Sequence, residues 1–84
     1  MKNNFLLREI AGEFLLIPLG DSSKQFNSII TMNETGAFIW RLLENGMPVQ
    51  EIAEALTKDY DVSLEKAVSD THKFINELKE KSIL

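Results

Sequence analysis

The sequence of 84 residues is long enough for one small domain, expected to span residues 1–84, and too short to be divided between two hydrophobic cores. Hydrophobic residues make up 44% and charged residues 26%, as in folded chains, and the lack of cysteine together with a single histidine excludes thiolate and multi-histidine metal sites. The net charge of −4 argues against a surface that neutralises nucleic-acid phosphates.

The first part of the chain is predicted to form three strands. Two apolar runs, Phe5–Ile10 and Glu13–Pro18, flank Gly12, which can adopt the positive φ of a tight turn, so a hairpin is expected. A polar, turn-rich stretch follows, and the run Phe26–Met32, with two isoleucines and a threonine, is predicted as the third strand. Strand alternation leaves open whether Phe26 belongs to the core or lines a groove.

The apolar spacing becomes helical after Asn33, which is predicted to cap a first helix that begins at Glu34 and stops at Gly46. This helix is apolar nearly all round, so it should be buried on more than one side. Trp40, at its centre, is interpreted as an anchor of the core because large aromatic side chains dominate small cores.

Two further helices follow. Pro48 suits the first position of the second helix, which is predicted to run to about Lys58. Ser63 is predicted to cap a third helix ending near Lys81. Its apolar stripe contains Leu64, Ala67, Val68, Thr71, Phe74, Ile75 and Leu78. The second and third helices form a helix-turn-helix, so the fold class is predicted to be α+β, a winged helix-turn-helix-like arrangement in which a three-stranded antiparallel sheet precedes three helices.

Catalytic motifs are missing from the sequence. His72 has no nucleophile motif or phosphate-binding loop to accompany it, and it is interpreted as an ordinary, partly exposed histidine. A small winged-helix DNA-binding regulator remains an alternative, but the third helix contains neither arginine nor glutamine. Its charges sum to zero, with Lys66, Lys73, Lys79 and Lys81 offset by Glu65, Asp70, Glu77 and Glu80. Nucleic acid is therefore disfavoured as a partner.

Six motifs, taken in order, resemble those of the PqqD family, the pyrroloquinoline-quinone synthesis protein D. They are Met32-Asn33-Glu34-Thr35-Gly36-Ala37, Ile39-Trp40, Asn45-Gly46, Val49-x-Glu51-Ile52, Tyr60-Asp61-Val62 and Asp70-x-x-x-Phe74-x-x-Glu77-Leu78. The likeness spans nearly the whole chain. It leaves open whether the pathway makes the quinone or another peptide-derived product.

The resemblance implies a non-catalytic peptide chaperone, or adaptor, without a cofactor or metal. Such a protein binds the leader of a ribosomally made precursor peptide and presents the peptide to a modifying enzyme, often a radical S-adenosylmethionine (radical SAM) enzyme. A third reading is an enzyme subunit whose chemistry resides elsewhere. The residues before Arg8 lack the apolar run of a signal peptide and no stretch approaches a membrane span, so a cytoplasmic location is expected and no membrane partner. The oligomeric state stays open.

In the family the leader lies in a cleft between the third strand and the third helix. An open sheet edge suits this role, because an extended peptide can pair with its free N–H and C=O groups as an added strand. Carried onto this sequence, the peptide-binding residues are Phe26, Asn27, Ser28, Ile29 and Ile30 on the strand and Ala67, Asp70, Phe74 and Glu77 on the helix. Which flank of the helix faces the cleft is left open.

Overall fold

The structure is a computed structural model that describes residues 5–20, 29–81 and 83. Three strands precede three helices: β1 (Phe5–Ile10), β2 (Glu13–Pro18), β3 (Ile30–Met32), α1 (Glu34–Glu44), α2 (Val49–Asp59) and α3 (Leu64–Glu80). This order confirms the predicted α+β arrangement. No helix within the described residues is long and apolar enough to cross a membrane.

The strands form an antiparallel sheet in the order β1-β2-β3. The first two make the predicted hairpin, whose turn residues Ala11 and Gly12 both have positive φ, 53° and 82°. Positive φ at both central positions matches the right-handed twist of the flanking strands. Because β2 occupies the centre, β3 is an edge strand, and β2 is its one neighbour among the described strands.

Within the described residues the third strand begins at Ile30. Its pairing with β2 ends at Leu16 and Ile30, and two residues further along β2 stands Pro18, which has no N–H to donate to a ladder. Ile29 precedes the strand and is 53% exposed. The predicted residues Phe26, Asn27 and Ser28 lie outside the described residues.

The helix boundaries follow the predicted caps closely. Asn33 accepts a hydrogen bond from the Gly36 N–H at 2.7 Å, and Gly46 ends the first helix with a φ of 78°. Ser63 accepts from the Lys66 N–H at 3.2 Å at the start of α3. Pro48 differs from the prediction: its ψ of 156° is extended, so it precedes α2 as the N-cap and does not form its first turn.

The core consists of two clusters that meet at α1 and α3. Between the sheet and the helices lie Phe5, Leu16, Trp40, Leu78 and Ile83, and between the three helices lie Ile39, Ile52, Ala53, Leu56 and Ala67. Trp40 is fully buried, which confirms its predicted role, and its ring meets that of Phe5 edge to face at 6.0 Å. Leu64 was expected on the buried stripe of α3 but is 45% exposed, because the packed part of the helix begins at Ala67.

Candidate functional site

Two adjoining cavities lie along one side of α3. The α1-side cavity, of about 300 Å³, is lined by Asn33, Thr35, Gly36, Ile39, Asp70, Lys73, Phe74 and Glu77. The β3-side cavity, of about 260 Å³, is lined by Ile30, Thr31, Met32, Asn33, Phe74, Glu77, Leu78 and Lys81. Together they form the β3–α3 cleft, which runs beside the edge strand and continues past the start of α1.

The flank of α3 that faces this cleft is defined by its spacing. Asp70, Phe74, Glu77 and Lys81 stand four, three and four residues apart, and Lys73 precedes Phe74 on the same side. Residues spaced by three or four positions share one face of a helix. The cleft therefore meets a continuous stripe of α3 that adjoins, but differs from, the stripe buried against α1 and α2.

Phe74 forms the apolar wall of the cleft. It is half-buried and packs against both core clusters. Its ring approaches the backbone of α1 so closely that a Cβ atom on Gly36 would lie 3.0 Å from the ring carbon Cε1. A glycine at this position of α1 thus allows the aromatic ring to lie where it lines both cavities.

The charged side chains of the cleft alternate in sign along α3 in the order Asp70, Lys73, Glu77 and Lys81. Asp70 Oδ2 lies 3.5 Å from the Nζ atom of Lys66, and the two side chains are 39% and 64% exposed to solvent, respectively. Exposed pairs of this kind contribute little to stability, so the Asp70 carboxylate remains able to accept hydrogen bonds from a ligand.

A second polar contact lies outside the cleft. The Tyr60 hydroxyl donates to Glu34 Oε1 at 3.3 Å. Partial burial, followed by the charge of the Glu34 carboxylate, raises the pKa of Tyr60 above 10.0, so the phenol is neutral at physiological pH. Among the described residues, no group of three or more acidic or histidine side chains is placed to hold a metal ion, and His72 is exposed.

The sequence of the chain matches that of a known protein family. The family model for "Coenzyme PQQ synthesis protein D (PqqD)" matches residues 7–84. The chain belongs to the PqqD family. Members of this family are non-catalytic peptide-binding proteins, and this membership confirms the prediction that the chain is not an enzyme. No curated protein is significantly similar to the chain.

A solved structure with the same fold is that of TbiB1 in complex with the TbiA(beta) leader peptide. It is 26% identical to this PqqD-family chain, with a TM-score of 0.74, and the match covers 98% of this chain and 92% of the other. The agreement over nearly all of both chains confirms the predicted sheet-then-helices architecture.

The predicted site residues of this PqqD-family chain fall into three groups. Ile30, Asp70, Phe74 and Glu77 line the cleft, and Ile29 is exposed at the start of the edge strand. Ala67 lies elsewhere: it is 1% exposed in the cluster between the helices, because it projects from α3 toward α1 and α2. Phe26, Asn27 and Ser28 lie outside the described residues.

Several cleft residues escaped the sequence analysis: Met32, Asn33, Thr35, Gly36, Lys73 and Lys81. The helical spacing from Asp70 through Phe74 would have predicted Lys81, since it continues the same stripe. Gly36 is part of the first family-like motif, but the sequence assigns it no place in the cleft, because its role depends on how closely α3 approaches α1.

Proposed function

We propose that this PqqD-family chain is a non-catalytic adaptor, built as one peptide-recognition domain, that binds the leader of a ribosomally made precursor peptide in the β3–α3 cleft. The observation that carries the proposal is an open cleft between an edge strand and a helix in a chain whose fold matches TbiB1, a protein solved with a leader peptide. Family membership supports the same function.

The leader binds as an added strand. The sheet ends at β3, and an extended peptide placed beside an edge strand satisfies backbone N–H and C=O groups with its own. These hydrogen bonds supply affinity with little dependence on leader sequence. Side chains of the leader that point into the two cavities supply the selectivity.

The helical side of the cleft distinguishes among leaders by charge and packing. Asp70 and Glu77 favour basic leader residues through contacts that weaken with added salt, because Glu77 is exposed and Asp70 is partly exposed to solvent. Phe74 acts through apolar contact, because its half-buried ring is fixed by both core clusters. The strand side of the site extends from Ile30 and Ile29 back to Phe26, Asn27 and Ser28.

A modifying enzyme is the second partner of the proposed adaptor. Family membership favours an enzyme that acts on the bound precursor peptide, and a radical SAM enzyme is the leading class. The proposed location is the cytoplasm, where the peptide and the enzyme are made. A short precursor-peptide gene and a radical SAM gene beside this one would identify the pathway. A different modifying enzyme in that position would revise the class and leave the adaptor function unchanged.

The test is the affinity of the chain for the precursor peptide encoded beside its gene, measured by isothermal titration calorimetry. Glu77→Gln is expected to weaken a leader with a basic segment about two- to fivefold at low salt, the range of an exposed ion pair. Glu80→Gln is the matched control, since Glu80 is on the same helix, exposed and outside the cleft. Equal losses in both variants would show a general charge effect, and absence of any binding would contradict the proposed function.

A further inference from the structure

The two cavities of the cleft meet at three shared residues. Asn33, Phe74 and Glu77 line both of them, whereas every other lining residue belongs to one cavity. A ligand side chain in one cavity therefore contacts a different set of residues from a side chain in the other. The two cavities are two subsites of one cleft.

Gly36 lines the α1-side subsite, where it lies close to Phe74. A Cβ there would lie 3.0 Å from Phe74 Cε1 and 3.1 Å from Asn33 Oδ1, distances at which a neighbour must move. Phe74 is held by both core clusters, so its free direction of movement is toward the open cleft. An alanine at position 36 would require the ring to shift by a few tenths of an ångström, toward the space that a bound side chain would occupy.

Strand geometry fixes how a peptide can use two subsites. Side chains of a strand that face one side recur at every second position, so the two anchoring side chains stand an even number of positions apart. Asp70 and Lys73 line only the α1-side cavity, and Leu78 and Lys81 line only the β3-side cavity. At the rise of an α-helix, the midpoints of these two pairs lie about 12 Å apart along the helix axis. At roughly 3.4 Å per residue of an extended chain, this distance spans between three and four residues, so four is the nearest even spacing and two is the next.

Direction follows from the sheet, whose observed pairings are all antiparallel. β3 runs from Ile30 at the β3-side cavity toward Asn33, which lines both cavities, and the chain continues to Thr35 and Gly36 at the α1-side cavity. A peptide that continues the antiparallel pattern runs the opposite way. Its earlier anchor then enters the α1-side subsite and its later anchor enters the β3-side subsite.

The lining decides what each subsite accepts. Asp70 and Glu77 outnumber the one cation, Lys73, beside the Phe74 ring at the α1-side subsite, a combination that suits a cationic side chain able to contact an aromatic face. At the β3-side subsite Glu77 is balanced by Lys81, and the apolar side chains of Ile30, Met32 and Leu78 suit an aliphatic side chain.

We propose that the leader carries a lysine or arginine followed, two or four positions later, by an aliphatic residue, and that Gly36 is the positioning residue that opens the first of these two subsites. The inference rests on the proposed leader-binding function. It adds the order of the two anchoring side chains, an even number of positions between them, and a separate protein contact for each.

Double-mutant cycles between the chain and the precursor leader test the proposal. Alanine scanning of the leader locates its sensitive positions, and each is then measured against Gly36→Ala and Met32→Ala by calorimetry. Gly36→Ala is expected to weaken the native leader about tenfold and to remove the sensitivity to the basic anchor alone. Met32→Ala is expected to remove the sensitivity to the aliphatic anchor alone, with a smaller loss.

Asp70→Asn provides a second variant that changes charge with almost no change in volume, and it should couple to the same basic anchor as Gly36→Ala. Thermal unfolding of each variant separates misfolding from a local effect on the cleft. Anchors at odd spacing, in reverse order, or coupled equally to both variants would overturn the inference and leave the leader-binding function standing. Absence of leader binding by the unaltered chain would overturn the proposed function itself, and the inference with it.

Discussion

Replacement of Trp40 tests the packing that holds the sheet and helices together. The side chain is fully buried, meets Phe5 edge to face at 6.0 Å and lies in one cluster with Leu16, Leu78 and Ile83. Trp40→Ala should cost about 3 to 5 kcal/mol, the range for removing a large buried aromatic side chain. A domain of this length has about 4 to 13 kcal/mol of total stability, so the variant should lose a large part of its stability and should unfold if the total lies at the low end of that range.

Trp40→Phe is the matched comparison. The indole Nε1 is buried and has no hydrogen-bond partner among the described residues, and an unpaired buried donor costs about 1 to 3 kcal/mol. Phenylalanine removes that donor and retains the ring contact with Phe5, so its loss of stability should stay below about 2 kcal/mol. Urea unfolding followed by circular dichroism measures both variants. Equal stability of Trp40→Ala and the unaltered chain would refute the packing argument.

Two further predictions follow from charge and from the Tyr60 hydroxyl. Labelled duplex DNA should form no sub-micromolar complex at low salt, because the charges of the third helix cancel, and a tight complex with a steep salt dependence would favour a DNA-binding regulator. In an absorbance titration, Glu34→Gln should lower the pKa of Tyr60 toward 10.0 and leave the contribution of burial. Because the folded-state pKa of Tyr60 is raised, the stability associated with it is present below pH 10.0 and is lost as the pH rises through the folded-state pKa. An unchanged pKa of Tyr60 in the Glu34→Gln variant would contradict the Tyr60–Glu34 contact.

Local signals predicted most of the fold. The Gly12 turn, the Asn33 and Ser63 caps and the Gly46 stop each act through backbone and side chains a few residues away, so the sequence alone locates them. That Ile29 lies outside β3 was harder to predict, because it depends on which residues of β2 remain able to pair.

Only some of the residues that line the cleft could be predicted from the sequence. Ala67 and Phe74 belong to one apolar stripe in the sequence, yet Ala67 is enclosed by α1 and α2 while Phe74 stands at the boundary between core and cleft. Helical periodicity identifies an apolar face but not which part of it a neighbouring element covers. The contribution of Gly36 is a tertiary contact over 38 positions and leaves no local signature.

The central claim is that a leader peptide pairs with the exposed edge of β3 beside α3. An amide NMR titration of the isotope-labelled chain with the precursor peptide encoded beside its gene tests this claim most directly. The account predicts shift changes concentrated at residues 29–33 and on the α3 flank that carries Asp70, Phe74 and Glu77, with the β1–β2 turn and α2 unaffected. Saturable changes confined to that turn or to α2, with residues 29–33 and α3 silent, would contradict it even though the peptide binds.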